Sequence, residues 1–439
     1  MNRPIILVTG ANGGVGLGIC ERILTQLSSP SPKDTALLKN GRTEAAGTTF
    51  DAGEGCTLIL ACRNEAKARA AAASLEALLE SFTKEKDELD TDEPIGKSSA
   101  MDSSSVQELQ SRYVTDRSAS VSQRNAAAGA LYRKKFVRGT RIEISPLDLA
   151  SLKSTQAFVA SVQQRYPYLT HLILNAGGAA WSGINWPYAF FEIVTNLHRA
   201  VTRPSYKLQR PSEKTADGFG WVWEINCGMH YVLAKELAPM MRASPYNAPS
   251  RIIWTGSLEA SRSDYHPDDF QCLDPKTTPH AYESTKYQCE LAALAMDERF
   301  REHSRGPRVY TAHPGIVASS IFSEVIHVLL LSLMKLVFYA ARWTFSPHHP
   351  IEAYKGAVAA SYVALAPAED LDSTVRYGAQ CTWSGQEYVF PGRLDGWQPS
   401  EEDPPENQVM DLARDLLHRY DLALGPNAST HKSTYDRKP

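Results

Sequence analysis

Ile5-Ile6-Leu7-Val8-Thr9-Gly10-Ala11-Asn12-Gly13-Gly14-Val15-Gly16 joins a short apolar run to a glycine-rich turn, and the helical stretch Gly18–Leu27 follows with Ile19, Ile23, Leu24 and Leu27 apolar. Four uninterrupted apolar residues suit a strand buried on both faces. A turn that brings backbone N–H groups against a pyrophosphate leaves no room for side chains at the contact points, which accounts for Gly10, Gly14 and Gly16 around Val15. The helix N-terminus behind the turn adds the positive end of a dipole. Strand, glycine turn and helix in that order predict a dinucleotide site.

The same alternation continues outward from this unit. Strands are predicted at Thr57–Ala61, Arg141–Ile144, His171–Leu174, Arg251–Trp254 and Arg308–Ala312. Helices are predicted at about Asn64–Phe82, Leu149–Tyr166, Phe219–Met241, Ala281–Arg301 and Ile351–Leu365, with a last strand-like run at Gln380–Phe390. Short apolar strands alternating with helices imply α/β architecture, a doubly wound parallel sheet of Rossmann type covered on both faces. One domain over 1–396 accommodates this pattern with insertions at 28–55, 83–135 and 181–218. The first reads as a polar loop, the second as a charged, Ser-rich mobile excursion, and the third as aromatic-rich and ordered. Residues 397–439 read as an acidic, Pro-rich tail with one helix near Asn407–Tyr420.

Composition narrows the function class. With 46 basic against 49 acidic side chains there is no global attraction for nucleic acid, and none is expected as a partner. Seven scattered cysteines without a C-x-x-C pair argue against a disulfide framework and a zinc ribbon, and favour a reducing compartment. No metal is expected: His348-His349, between prolines and without a spaced carboxylate partner, reads as surface. A strand beginning at Ile5 leaves no secretory signal in this stretch, so the chain is expected to face the cytosol.

Further motifs follow the glycine turn. Asp148-Leu149 comes after the third strand, Asn175-Ala176-Gly177 after the fourth, and Asn226 lies in the next helix. Thr255-Gly256-Ser257 follows the fifth strand, Tyr282-Glu283-Ser284-Thr285-Lys286 opens the next helix, and Pro314-Gly315-Ile316-Val317-Ala318-Ser319 follows the sixth strand. Any one could arise by chance. With 19 tyrosines, about one Tyr-x-x-x-Lys is expected at random, and Tyr231 with Lys235 forms a second copy, read as a solvated helix face. The seven motifs in this order resemble the short-chain dehydrogenase/reductase family. That resemblance implies Tyr282 as proton donor, Ser257 as carbonyl polariser, Lys286 as partner of both the phenol and a ribose, and Asn226 as holder of a relay water. It also implies Asp148 at the adenine, Asn175 beside the cofactor, and Val317 with Ser319 as further cofactor-binding residues. Ser319 stands where the family usually has Thr.

The residue types suit carbonyl chemistry. A ketone accepts hydride when its oxygen is protonated or polarised as charge develops. Tyrosine, with an ordinary pKa near 10, is a poor acid at neutral pH, and Lys286 one turn on is expected to lower it. Cys62-Arg63-Asn64 ends the second strand where an acidic residue would favour NAD; the Arg63 guanidinium suits a 2′-phosphate, so NADPH and the reducing direction are expected.

Two stretches bear on the substrate. The 24 residues between Ser257 and Tyr282 include Tyr265-His266-Pro267-Asp268-Asp269-Phe270, expected at the pocket mouth. The apolar run at 324–343 replaces the family's substrate lid. Glu324, His327, Ser332, Lys335 and Arg342 fall within an arc of about 140° at ~100° per residue. Val325, Ile326, Leu329, Leu330, Leu333, Met334, Leu336, Val337, Ala340 and Trp343 face the other way. A spanning helix would bury Lys335 in hydrocarbon at a cost of about 3 kcal/mol, so the segment is expected to lie on a membrane surface or to pack as a lid. Together with Arg251–Ser257 and the Met1-Asn2-Arg3 start, these features resemble the fungal 3-keto-steroid reductases of ergosterol biosynthesis. That resemblance implies NADPH-dependent reduction of a sterol 3-ketone to the 3β-hydroxyl during C4 demethylation. It also implies a place on the cytosolic face of the endoplasmic reticulum or on a lipid droplet, beside other C4-demethylation enzymes, with a homo-oligomer allowed. Residue chemistry alone supports an apolar carbonyl compound. A reductase of a retinal-like aldehyde or long-chain ketone, and a cofactor-binding scaffold for sterol enzymes, stay open.

Overall fold

A computed structural model describes residues 2–37, 49–84, 121–210, 212–318, 328–397 and 405–425. The N-terminal unit comprises β1 (Ile5–Thr9), α1 (Gly14–Leu27), β2 (Thr57–Cys62), α2 (Glu65–Lys84), α3 (Val121–Gly139) and β3 (Arg141–Pro146). Then come α4 (Leu152–Arg165), β4 (His171–Leu174), β5 (Trp181–Ile184), α5 (Trp186–Thr195), α6 (Leu197–Thr202) and β6 (Lys207–Gln209). The helical stretch α7 covers 221–242, with a π-turn at Glu224–Gly228. The chain continues through β7 (Arg251–Thr255), α8 (Ala281–Arg301), β8 (Arg308–His313), α9 (Val328–Trp343), α10 (Ala353–Gly356) and α11 (Val358–Leu365). It closes with β9 (Val375–Cys381), β10 (Glu387–Arg393) and α12 (Pro405–Leu424).

Eight strands form one sheet in the order β10-β9-β8-β7-β4-β1-β2-β3, parallel except for β10. Every residue of β1, β2, β4 and β7 is buried, as apolar strands covered on both faces must be. One core lies between the sheet and α4, α7, α8 and α12, the other between the sheet and α1, α2 and α11. The order reverses between β1 and β4, the place where such sheets open a crevice beyond their strand ends. In-register pairing sets Thr9 beside Ala61, Cys62 beside Pro146 and Leu174 beside Trp254. The loops carrying the motifs therefore emerge together along one edge.

Several expectations change. The excursion at 83–135 does not stay irregular to its end: α3 begins at Val121, and Phe136 is buried in the core beside α2. Its remaining part, 85–120, lies outside the described residues. The single strand expected at Gln380–Phe390 is two, β9 and β10, reversed by a turn in which Gly385 takes φ +89. The helix expected over 351–365 is divided into α10 and α11. Beyond residue 396, α12 buries Val409, Ala413, Leu416, Leu417 and Tyr420 in the main core, so it completes the domain instead of trailing from it. His349 is fully buried, bonded to Ser346 Oγ at 2.9 Å and the Val201 carbonyl, not a surface residue.

Candidate active site

A cleft of about 720 Å³ opens at the carboxyl ends of the strands, lined by Gly10, Gly14, Val15, Gly16, Arg63, Asp148, Asn175, Ser257, Tyr282, Lys286 and Val317. Ser319 lies outside the described residues. Asn226 sits just behind the wall, its amide beside Gly177 and Gly178.

The turn is shaped for phosphates. Gly10 adopts φ +66 and lies so close to the fourth strand's loop that a Cβ would come 2.9 Å from Ala176 Cα. A Cβ on Gly16 would overlap the Gly10 carbonyl oxygen. Thr9 Oγ1 accepts from the backbone N–H groups of Asn175 and Ala176 at 2.9 and 3.0 Å, and Asn175 Nδ2 donates to the Thr9 carbonyl at 3.0 Å. The two loops are thereby locked together across the switch point. Behind Thr9, 3.0 Å away, stands His230, whose burial pushes its pKa down to about 3, so the ring is neutral. Arg63 is exposed at the rim with Lys67 one turn further along α2, a second cation that the sequence reading passed over. A guanidinium and an ammonium on one rim fit a doubly charged 2′-phosphate.

On the opposite side, Ser257 follows β7 and Tyr282 opens α8. Both residues line the cleft, and Ser257 Oγ accepts from Glu259 N at 3.2 Å. Lys286 Nζ is buried, donates to the Thr255 carbonyl at 2.9 Å, and lies 5.8 Å from the Tyr282 ring centre. The phenol is not shifted downward as expected from Lys286. Burial foremost, then the Glu259 carboxylate, raise it well above the ordinary tyrosine value, with Ser257 acting against them. The phenol accordingly holds its proton at neutral pH, the state a donor requires.

Asn226 occupies the π-turn, an arrangement that re-aims one residue within a helix. Its Oδ1 accepts from Gly178 N at 2.9 Å, while Nδ2 donates to the Gly178 carbonyl at 2.9 Å and to Thr285 Oγ1 at 3.0 Å. The side-chain amide is thus engaged with the loop after β4 and with α8. It fixes these two elements relative to each other.

The loop Tyr265–Phe270 does not reach the cleft. Phe270 packs on Trp223 of α7 and Tyr420 of α12, and Tyr265 on Tyr287 of α8. The mouth is instead walled by Trp181, Thr202, Arg210 and Phe338. In α9, Ser332 and Lys335 are exposed, but Arg342 is buried, its guanidinium 4.7 Å from the Tyr339 ring centre and against the Gly385 turn. Helical periodicity placed it on a polar face; the β9–β10 hairpin covers it. Phe338 is buried against His349, while Leu336 and Trp343 are exposed. Residues 319–327 lie outside the described residues, among them Glu324, Val325, Ile326 and His327.

No family model matches the chain. Among curated proteins it is similar to the 3-keto-steroid reductase of Kluyveromyces lactis, 32% identical over 237 residues, which cover 54% of this chain and 66% of that protein, just under two thirds. The 3-keto-steroid reductase erg27 of Aspergillus fumigatus is 30% identical over 317 residues, 62% of this chain and 68% of the relative. That of Gibberella zeae is 28% identical over 447 aligned residues, 89% of this chain and 81% of the relative.

Proposed function

The chain belongs to the 3-keto-steroid reductases of the short-chain dehydrogenase/reductase family, and from that premise we propose that it reduces a sterol 3-ketone to the 3β-hydroxyl with NADPH during C4 demethylation. The observation that carries this reading is the meeting of Ser257, Tyr282 and Lys286 in the same cleft as the glycine turn. When bound, NADPH supplies the hydride. Gly10, Gly14 and Gly16 leave room for its phosphates, and Arg63 with Lys67 stands where a 2′-phosphate would be met.

The chain's own residues handle the ketone oxygen. The Ser257 hydroxyl, in the same cleft as the phenol, gives that oxygen a hydrogen-bond partner. Tyr282 donates its proton as negative charge develops there, leaving a phenolate that the buried Lys286 ammonium stabilises. Asn226 keeps Gly178 and α8 in place around these groups. The test is NADPH consumption by the purified chain with a 3-keto sterol, set against a retinal-like aldehyde and a long-chain ketone. Preference for either of the latter would replace the sterol reading.

The chain rests on a membrane surface, on the cytosolic face of the endoplasmic reticulum or a lipid droplet. Supporting this is an apolar patch larger than the lid segment alone. In α5, Trp186, Phe190, Phe191 and Val194 are 56, 72, 59 and 68% exposed. Trp343 and Phe345, at the end of α9, are 58 and 77% exposed. Aromatic side chains at such density on a surface suit the headgroup region. Helix α6 follows α5 and packs on α9, and Thr202 and Phe338 from these two helices line the cleft, so lipid contact would lie beside the substrate's path. Among the described residues no helix is long and apolar enough to cross a membrane.

A further inference from the structure

Lys207 and Gln209 belong to β6, inside the insertion at 181–218 and remote in sequence from every motif of the cleft. Both nevertheless reach the first turn of α8. The opening amides of a helix have no partner within it, and His280 at the N-cap of α8 offers no side-chain bond. Gln209 supplies one: its Oε1 accepts from Tyr282 N at 2.9 Å, while its Nε2 donates to Glu283 Oε2 at 2.6 Å. A carboxamide, with one acceptor and one donor head, is the side-chain type that serves both neighbours together.

Lys207 Nζ is buried and paired with Glu259, and with Glu283 Oε1 at 3.4 Å. It also lies 4.4 Å from the Trp181 ring centre and 6.0 Å from that of Tyr282, nearly as close to the phenol ring as Lys286. Trp181 and Glu259 both line the cleft. A partly buried carboxylate such as Glu259 costs less with a counter-ion beside it, and Lys207 bonds it.

We propose that the β5–β6 hairpin is a positioning clamp for the catalytic tyrosine: Gln209 fixes the backbone of Tyr282, and Lys207 holds the two carboxylates, Glu259 and Glu283, that flank its phenol. The proposal rests on the reading of Tyr282 as proton donor. The groups bearing on the phenol are Lys286, Glu283 and the Cys289 thiol from its own helix, Glu259 from the loop after β7, and Lys207 from β6. Arg203, just before β6, acts in turn on Glu259. Within this set Lys207 balances the carboxylates. Removing its charge leaves two anions against the phenol, and removing that of Glu259 leaves the cations in excess, so the two changes act in opposite directions.

The experiment uses the full chain with Gln209→Leu, Lys207→Met, Lys207→Arg and Glu259→Gln, reading kcat against pH and NADPH affinity by fluorescence. Reduction needs the protonated phenol, so kcat falls as pH rises through its pKa. Glu259→Gln brings that limb down toward the workable alkaline range, while the parent, Lys207→Met and Lys207→Arg keep the proton across it. Gln209→Leu lowers kcat by about tenfold, the scale of a displaced catalytic group, with KM and NADPH affinity within about twofold. The NMR signal of ring-labelled Tyr282, assigned by its loss in Tyr282→Phe, shifts its titration in the same directions without substrate. Those NMR shifts in a protein inert toward 3-keto sterols support the clamp and contradict the substrate reading. Folded Gln209→Leu and Glu259→Gln proteins matching the parent in kcat, pH limb and NMR titration overturn the clamp, whether or not Lys207→Met folds.

Discussion

The Tyr231 hydroxyl donates to Asp421 Oδ1 at 2.7 Å, so the chain's second Tyr-x-x-x-Lys fastens the C-terminal helix. Lys235 Nζ joins the same oxygen at 2.9 Å, and Arg299 Nη1 bonds both the Tyr231 hydroxyl, at 2.9 Å, and Asp421 Oδ2, at 3.2 Å. The pair is therefore structural; Tyr231 is buried and Lys235 half-buried, where a solvated face was expected. Tyr231→Phe should lower the unfolding free energy by about 1 kcal/mol, the net worth of one hydrogen bond, and leave turnover within about twofold. Urea melts beside steady-state rates check it; a dead Tyr231→Phe enzyme would assign catalysis to the wrong pair.

The same cluster sets an acid limit. Burial alone would raise the Asp421 carboxyl, but the bonds from Lys235 and Tyr231 outweigh it and hold the group below the ordinary aspartate value. A carboxyl depressed in the folded state adds stability above its unfolded pKa, about 3.9, and that stability is lost as pH falls through the folded value. Urea midpoints of the parent should therefore fall more steeply below about pH 4 than those of Asp421→Asn. Parallel curves would show that the cluster does not hold α12.

The motifs of the cleft were legible because each answers a local demand. Gly10 and Gly16 are required by overlap with Ala176 and with the turn itself, and Tyr282 with Lys286 needs only one helical turn. What escaped were contacts between distant stretches. Nothing local marks Lys207 or Gln209, since their partners lie 73 or 76 residues away at Gln209–Tyr282 and Lys207–Glu283. The tail helix showed an amphipathic pattern but not its destination, and Tyr265–Phe270 was misplaced because its aromatic partners Trp223, Tyr287 and Tyr420 come from three different helices. Arg342 obeyed helical periodicity and was still buried, by a hairpin read as one strand. The run Trp186–Val194 carried a signal, six large apolar residues around one short helix, that was seen as order and not as surface.

Cofactor preference tests the rim. Arg63→Ala with Lys67→Ala should weaken NADPH by at least about tenfold and NADH much less, because the 2′-phosphate alone distinguishes them. Titrations of both nucleotides measure it. Equal losses would make these residues ordinary surface cations.

Membrane contact is tested on α5, whose Phe190 and Phe191 side chains project from the body and can change without disturbing the core. Phe190→Glu with Phe191→Glu should abolish flotation with vesicles of phosphatidylcholine and phosphatidylserine, while NADPH affinity stays at the parent value. Undiminished flotation would remove α5 from any lipid contact.

The most direct measurement follows the transferred atom. The purified chain is given a 3-keto sterol and NADPH deuterated at the nicotinamide C4, and the product is analysed by mass spectrometry and NMR. One deuterium is expected at C3 of a 3β-alcohol, with the rate reduced at least about a hundredfold in Tyr282→Phe at unchanged NADPH affinity. An unlabelled or unreduced sterol, or a Tyr282→Phe protein as fast as its parent, would contradict it.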